Sequence, residues 1–294
     1  MGSGRSGSTI LGIALGNCAD FFYAGELDNW LTRSGVATLG GSERTRFWSA
    51  VRDEVGGEDL FGSECHRYLE RSGAILRANR SRISRRLRPR YLRVTADLYR
   101  AIARTAGVTY VLDTAHFPLR ARELQRIGEI ELYLIFLVRD PQSVVASFAR
   151  NLNSRDAHRR WLLALSTNAD LWLTHLLSVM VFLRQPRERR MFLRHEDLLA
   201  DPEGVLRDIL VRLGSPAELG DLSSLSTGLP LRGNRLISSD FVALKAQPER
   251  PAGGSRLTAV LQLPWRAVFS RLRPMAMASA SSAPGRPSDH VTAI

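Results

Sequence analysis

The first nine residues constrain the fold of this chain more than any other segment. Residues 2–9 read Gly-Ser-Gly-Arg-Ser-Gly-Ser-Thr, and an apolar segment, residues 10–15, follows directly. Glycines allow successive backbone N–H groups to point into one concavity, and the positive end of a following helix adds to the attraction for phosphate. The sequence therefore predicts a phosphate-binding loop joined to a helix. The alternative is a flexible or vector-derived start, of which Met-Gly-Ser-Gly is typical.

The spacing of this loop matches the nucleotide-binding pattern G-x-x-x-x-G-K-[ST], except that Ser8 stands at the lysine position. Lys245 is the only lysine in the chain, and Arg5 is the only cation in the loop. An ATP or GTP hydrolase without its lysine is therefore disfavoured. A kinase or NTPase with a degenerate loop stays as an alternative; it would need Mg²⁺ and should bind ATP.

The basic composition indicates a polyanionic ligand. Lysine and arginine together number 41 against 29 acidic residues, which gives a net charge of +12. Arginine binds anions through a planar fork, so a phosphate ester or a nucleic acid fits, although a compositional bias would give the same excess. A basic nucleic-acid-binding protein is a second alternative. It is supported by the arginine-rich residues 77–93, but the chain contains no recognisable nucleic-acid-reading module.

Other features of the composition exclude further classes. Two cysteines are too few for a disulfide framework or a four-ligand zinc site. No apolar run reaches the roughly 18 residues of a membrane-spanning helix, and no signal peptide opens the chain, so we expect a cytoplasmic protein. Residues 257–273, with Trp265 and Phe269 among arginines, could contact a membrane surface, but a terminal helix packed on the domain is favoured.

Three segments have the apolar character of buried parallel strands: residues 108–112, 131–138 and 190–193. Between them, Asp140-Pro141 and Asp201-Pro202 each supply an N-cap and a proline at the first helical position. They predict helices from residue 141 to about residue 151 and from residue 202 to residue 213. Strands that alternate with helices indicate an α/β fold with a central parallel sheet flanked by helices.

A helix with a buried face is predicted over residues 161–176. Apolar side chains recur there at helical intervals, and we expect them to pack in the core: Trp161, Leu162, Leu165, Trp172, Leu173 and Leu176.

The loop resembles the 5′-phosphosulfate loop of sulfotransferases, especially the branch that has Arg-Ser-Gly-[Ser/Thr]-Thr. The donor-binding residues that this resemblance implies are Gly4, Arg5, Ser6, Gly7, Ser8 and Thr9. A second match follows the apolar strand, where Arg139-Asp-Pro is followed by Ser147. In that family this arginine and this serine bind the 3′-phosphate of 3′-phosphoadenylyl sulfate. A parallel strand delivers the residue after its carboxyl end to the edge where ligands bind, which agrees with such a role.

Three further segments resemble the family in the same order along the chain. Residues 111–118 resemble its Asp-Ser-Ser-Lys-x-Pro or Lys-Thr-His-Leu-Pro segment. Residues 192–203 resemble its Arg-Tyr-Glu-Asp-Leu…Asp-Pro pattern, with His195 in place of the tyrosine. The last segment resembles the Gly-Asn-Pro-x-Arg element that closes over the donor, without its proline: Gly233, Asn234 and Arg235. Each segment alone also fits an ordinary strand end, turn or surface loop.

The resemblance implies a P-loop-like α/β domain over residues 1–272. We expect residues 273–294, rich in Ala, Ser, Pro and Gly, to be a disordered tail. The implied activity is transfer of a sulfuryl group from 3′-phosphoadenylyl sulfate (PAPS) to an acceptor hydroxyl or amine, without a metal. The acceptor is a small molecule, a carbohydrate or a lipid, and no nucleic-acid partner is expected.

Three residues are implied in catalysis. Arg5 would carry the charge that develops on the leaving phosphate. Glu26 lies 21 positions after Arg5, similar to the catalytic glutamate of arginine-type relatives, and His116 stands where another branch has its catalytic histidine. We expect Glu26 to be the general base, with His116 donating to the transferring sulfuryl group or serving as base in its place.

The start of the chain departs from the family pattern. A phosphate loop is held by the strand before it, and here only Met1 precedes Gly2. We therefore expect the first strand to be missing or truncated, which leaves an unfilled position in the sheet beside the loop. We also expect codons upstream of Met1 to encode about five to eight apolar or β-branched residues, the usual length of a strand.

Overall fold

The computed structural model describes residues 1–62, 64–151, 157–246, 256–277 and 291–294. A parallel sheet lies at the centre of the fold, with helices on both faces. The strands are β1 (Phe21–Gly25), β2 (Tyr110–Asp113), β3 (Glu131–Leu132), β4 (Leu134–Val138), β5 (Arg190–Arg194), β6 (Leu225–Ser226), β7 (Phe241–Val242) and β8 (Thr292–Ala293). The helices are α1 (Ser8–Gly16), α2 (Ser42–Val55), α3 (Arg80–Ala106), α4 (Pro118–Leu124), α5 (Pro141–Asn151), α6 (Ala157–Arg184), α7 (His195–Ala200), α8 (Pro202–Arg212), α9 (Arg256–Leu261) and α10 (Leu263–Met277).

The predicted α/β fold with a central parallel sheet is confirmed. Strands pair in the order β1-β2-β8-β3, all parallel, and β4 pairs with β5 in the same sense. Only Tyr133 separates β3 from β4, so the strand predicted over residues 131–138 is present in two pieces. Strands β2 and β5 correspond to the other two predicted strands. A short antiparallel pair, β6 and β7, lies outside this sheet.

The position that we expected to be empty is filled. Strand β8 lies between β2 and β3. Residues 291–294 therefore occupy the position in the sheet that we expected to be empty, which is called the slot below. The predicted tail, residues 273–294, lies mostly outside the described residues. Of its described parts, residues 273–277 belong to α10 and residues 291–294 to the sheet. Such alternating apolar and small residues pack well once paired on both edges.

Alternation along the strands separates two cores. Val111 packs with Trp48 and Tyr99, from α2 and α3, on one face of the sheet. Its neighbours Tyr110 and Leu112 pack on the other face with side chains of α1 and α8, among them Leu11, Leu15, Leu206 and Leu210. A strand buried on both faces carries apolar residues at every position, which is the pattern that identified it.

The predicted caps of α5 and α8 are confirmed, whereas the predicted packing of α6 is partly wrong. Side chains of Asp140 and Asp201 accept from backbone N–H groups three residues on, at 2.9 and 3.0 Å, and so cap α5 and α8 as predicted. The core packing predicted along α6 is wrong for part of the set, because Trp161 and Leu176 are 52% and 50% exposed. Leu177 of the same helix is buried instead. None of the helices among the described residues is long and apolar enough to cross a membrane.

Candidate active site

The loop and the start of α1 form an anion-binding concavity. Gly7 precedes the helix with φ 96°, and a Cβ at this position would overlap the ring of His195. Only glycine fits both the backbone conformation and this close approach. No side chain caps the N-terminus of α1, and its first turn contains no acidic residue. The N–H groups at this end of the helix can therefore bind an anion.

The side chains of the loop differ in burial. Ser6 and Thr9 are 2% and 4% exposed, whereas Ser8 is half-buried at the helix start. Arg5 is exposed at the tip of the loop, with φ 67°. Its guanidinium carbon lies 5.9 Å from the centre of the Phe148 ring. The cation therefore stands at the open side of the concavity.

Arg139 connects the end of β4 to the loop. Its Nη1 donates to the carbonyl oxygen of Arg5 at 3.1 Å. Ser147 is half-buried on α5, next to the Phe148 ring that borders Arg5. Arg139 therefore contacts the loop directly, whereas the residue of α5 that borders the loop is Phe148, the neighbour of Ser147.

Glu26 follows β1 at the same edge of the sheet. Its N–H donates to the carbonyl oxygen of Arg232 at 2.8 Å, and Arg232 Nε lies 3.7 Å from Glu26 Oε2. Burial raises the pKa of Glu26, and Asp113 adds to this, whereas the positive charges of Arg232 and Arg5 lower it. Because burial prevails, the carboxylate is a better proton acceptor than a solvated glutamate, within electrostatic reach of the loop.

His116 lies between the end of β2 and the loop. Its carbonyl oxygen accepts from Gly2 N–H at 3.2 Å, and a Cβ on Gly4 would lie 3.9 Å from its Nε2. Burial lowers the pKa of His116 to about 4, with the N-terminal ammonium and Arg71 acting in the same direction. The imidazole is therefore neutral at pH 7, able to accept one proton and to donate one N–H.

A buried network of charged groups lies beneath these side chains. Arg120 is 3% exposed and donates to the carboxylates of Asp113 and Glu70. Tyr99 donates to Asp113 and Tyr91 donates to Glu70, both at 2.7 Å. Buried charges of this kind are tolerated only when paired and hydrogen-bonded, as they are here.

This network fixes the two catalytic candidates relative to each other. Asp113 Oδ1 accepts from the N–H of Leu27 at 3.2 Å and from that of Ala115 at 2.8 Å. Leu27 follows Glu26, and Ala115 precedes His116, so one carboxylate anchors the backbone beside both. Asp113 and Arg120 were not predicted as site residues from the sequence, although both lie within a few residues of His116.

The late motif is only partly at the site. A Cβ on Gly233 would lie 3.3 Å from the Tyr23 hydroxyl, on β1, so this glycine borders the sheet edge. Asn234 and Arg235 are exposed, and the Asn234 side chain accepts from a backbone N–H two residues on, at 2.8 Å. The residue that reaches Glu26 is Arg232, which was not predicted from the sequence. Its position directly before Gly233 was the available signal.

The described residues include no group of three His, Cys, Asp or Glu side chains that could hold a metal ion.

His195, which stands at the tyrosine position of the family pattern, packs its ring against Gly7. Burial, together with the charge of Arg139, lowers the pKa of His195 to about 4. A neutral ring therefore closes the loop side of the concavity.

Comparison with known proteins agrees with this geometry. The profile of a sulfotransferase family matches residues 1–218. The sulfotransferase domain from the Synechococcus PCC 7002 olefin synthase superposes with a TM-score of 0.54 at 18% identity, over 90% of this chain and 92% of that domain. The sulfotransferase domain from the Curacin biosynthetic pathway gives 0.48 at 16% identity, over 90% and 95%. No curated protein matches the chain. The first likeness shows a shared fold, and the family match covers most of the sequence: this chain belongs to the sulfotransferase family.

Proposed function

We propose that this sulfotransferase takes its sulfuryl group from PAPS and transfers it to a hydroxyl or amine of a small-molecule, carbohydrate or lipid acceptor. The observation that carries the proposal is the convergence on one loop of the uncapped N-terminus of α1, the Arg139 hydrogen bond to Arg5, and the carboxylate of Glu26. An anion-binding loop, cations and a base at one sheet edge are the parts that this transfer needs.

The loop fits the 5′ end of the donor. At Gly7 the loop backbone passes so close to the His195 ring that a Cβ would overlap it. The start of α1 presents backbone N–H groups with no capping side chain. Arg139 and Ser147, at the adjoining side, would hold the 3′-phosphate through one charge-assisted and one neutral hydrogen bond. Gly233 would border the bound nucleotide, with Asn234 and Arg235 able to reach it only if their exposed turn moves inward.

In the transfer itself, Glu26 removes the acceptor proton while the acceptor oxygen bonds to sulfur and the bond from sulfur to the phosphate oxygen breaks. The products are the sulfated acceptor and adenosine 3′,5′-bisphosphate. Arg5 and the loop N–H groups face the negative charge that develops on the leaving phosphate. His116 donates its N–H to the sulfuryl group or takes the role of base, since its neutral ring borders the loop.

A calorimetric titration tests the proposal against its two alternatives. We expect adenosine 3′,5′-bisphosphate to bind without a divalent cation and with higher affinity than ATP or a duplex DNA. Tighter binding of ATP in the presence of Mg²⁺ would support the degenerate kinase or NTPase, and DNA binding that falls steeply with salt would support the nucleic-acid-binding protein.

A further inference from the structure

We infer that residues 291–294 form the strand that supports the phosphate loop. These residues, Val-Thr-Ala-Ile, enter the slot between β2 and β3 parallel to both. Both edges of the slot are paired with them. A buried strand thereby lies in the sheet beside the phosphate loop.

Backbone hydrogen bonds hold the segment on its β2 side. The N–H of Thr292 donates to Thr109 and that of Ile294 donates to Val111, both at 3.0 Å. In return, the N–H of Asp113 donates to Ile294 at 2.9 Å. This last bond connects the segment to Asp113, whose carboxylate anchors the backbone beside Glu26 and His116.

The β3 side is paired as well. The N–H of Glu131 donates to Val291 at 3.0 Å, and that of Tyr133 donates to Ala293 at 2.8 Å. The side chains follow the alternation of a central strand. Ala293, 1% exposed, joins the core of α2 and α3, whereas Ile294 packs against the core on the opposite face.

The register shows that this segment and the start of the chain are two pieces of one strand. Met1 continues the same edge: its ammonium donates to Ile135 at 2.7 Å, and its carbonyl accepts from Leu137 at 3.0 Å. Gly2 pairs with Leu137 in the same parallel sense.

The two pieces leave a gap of defined length. Thr292 lies opposite Glu131, which places Ile294 opposite residue 133, and Gly2 opposite Leu137 places Met1 opposite residue 136. Positions 134 and 135 on that edge are left between them, which is room for two residues. A cavity lies there, and Met1, Ile294, Leu134 and Ile135 are among the residues that line it.

The first experiment breaks the strand at one backbone bond. Thr292→Pro removes an N–H donor and places proline in a central strand, whereas Thr292→Val keeps both the donor and the branched shape. We expect the proline variant to lower Tm by about 5–10 °C and the valine variant to change it by less than about 2 °C.

Hydrogen exchange reports the slot directly and uses no ligand. The amides of Asp113, Glu131 and Tyr133 donate to residues 291–294, so they should lose protection in Thr292→Pro but not in Thr292→Val. Equal protection and equal Tm in the two variants would overturn the inference.

A second experiment tests the register. Residues 291–294 are placed ahead of Met1 through a two-residue linker, and the chain ends at Met277. We expect this variant to match the parent in Tm and in protection of the three amides. A one-residue linker should fail to do so, since a shift by one residue turns every side chain to the opposite face. If the two linkers give equal stability, or if protection depends on protein concentration as for a strand from a second copy, the assignment to this chain is wrong.

A ligand-binding measurement tests whether the strand supports the loop, and it rests on the proposed function. Thr292→Pro should weaken binding of adenosine 3′,5′-bisphosphate at least about tenfold, because the loop loses its support. The exchange and Tm measurements involve no donor. A failure of the donor assignment would therefore leave them intact, whereas a failure of the strand assignment would appear in them first.

Discussion

Arg5 belongs to the loop, whereas Arg139 reaches the loop from another element. Arg139 extends from the end of β4 and holds the Arg5 carbonyl, whereas the Arg5 side chain is exposed beside Phe148. A residue that holds the loop and faces a bound phosphate contributes to ground-state binding. A residue at the open side, where the leaving group develops charge, contributes mainly to the transition state.

This difference predicts that one substitution changes mainly the affinity and the other mainly the turnover. Arg139→Ala should weaken binding of adenosine 3′,5′-bisphosphate by roughly 2–5 kcal/mol, because a buried phosphate loses a charge-assisted partner. Arg5→Ala should lower kcat by about 10²–10³ with a smaller effect on that affinity. Calorimetry and steady-state kinetics measure the two effects, with Arg207→Ala as control, since Arg207 lies on α8 with its side chain 68% exposed. Unchanged affinity in Arg139→Ala would contradict its assignment.

The choice of base is a second prediction at the level of single side chains. Glu26→Gln should lower kcat by about 10²–10⁴, the usual contribution of a positioned base. Because burial raises the pKa of Glu26, activity in the parent should fall as pH drops through that raised pKa, and Glu26→Gln should lose this limb.

Glu203→Gln, a substitution of a carboxylate 64% exposed on α8, is the matched control for Glu26→Gln. The roles are reversed if Glu26→Gln retains near-normal turnover while His116→Ala abolishes it. If neither substitution matters, the acceptor site lies elsewhere.

Several residues of the candidate site were recognisable in the sequence because each belongs to a local pattern. The loop glycines, Arg139 and His116 each belong to a short motif next to a strand end, and the structure brings these motifs to one edge. Arg232 and Asp113 were not predictable in the same way. Their importance comes from contacts with residues more than 80 positions away, which no local pattern encodes.

At the level of elements, α6 shows the limit of periodicity. The apolar spacing identified a helix, but Trp172 lies 39% exposed, with its Nε1 donating to the Leu261 carbonyl on α9 at 2.8 Å. His175 is buried on the same helix and contacts the rings of Trp265 and Phe269 on α10. Which side of an amphipathic helix is covered depends on where later helices pack.

The packing of α6 against α10 predicts a pH dependence of stability. His175 is 1% exposed, its Nδ1 has no hydrogen-bond partner among the described residues, and burial lowers its pKa to about 4 from 6.5. Between these two pH values the unfolded chain binds a proton that the folded chain does not, so stability is lost as pH falls from about 6.5 to about 4. The loss for this one residue is about 3 kcal/mol.

Chemical denaturation of His175→Phe at pH 7.5 and pH 4.5 checks this prediction. The variant should show a smaller difference in unfolding free energy between the two pH values, by about 2–3 kcal/mol. A packing change from the larger ring would shift both values equally. His116 and His195, with the same sign of shift, stay in both proteins and cancel in the comparison. An identical pH difference in parent and variant would refute the role of His175.

The strands show the same division between local and distant information. The strand at residues 131–138 was recognisable because residues 132–138 are apolar throughout and turn residues border the segment. Strand β1 was missed, since its five residues follow the loop helix closely and end in glycine. Strand β8 could not be predicted at all, because its assignment depends on a slot formed by segments about 160 residues or more away in sequence.

On the scale of the whole molecule, the sheet brings both ends of the chain to the loop. Met1 and Ile294 border one cavity beneath it, and the strands on either side carry Glu26, His116 and Arg139 at their ends. Filling the concavity with an anion should therefore stabilise the whole domain, not only the loop. The net charge of +12 adds a nonspecific term, because any polyanion relieves the repulsion among the arginines.

Salt separates the specific contribution from the nonspecific one, which gives the last prediction. Adenosine 3′,5′-bisphosphate at about one hundred times its Kd should raise Tm by about 5–10 °C. Most of this increase should persist in about 0.5 M salt at the same ligand concentration, because contacts inside a concavity are screened less than exposed charges. Duplex DNA should raise Tm only at low salt, since its binding depends on counterion release. Differential scanning fluorimetry of the parent and of Arg139→Ala measures both effects, and the variant should lose the specific shift at the parent's ligand concentration while keeping the DNA shift. Equal loss of the two shifts at high salt would mean that the bisphosphate binds only to the basic surface, and the donor site would have to be placed elsewhere.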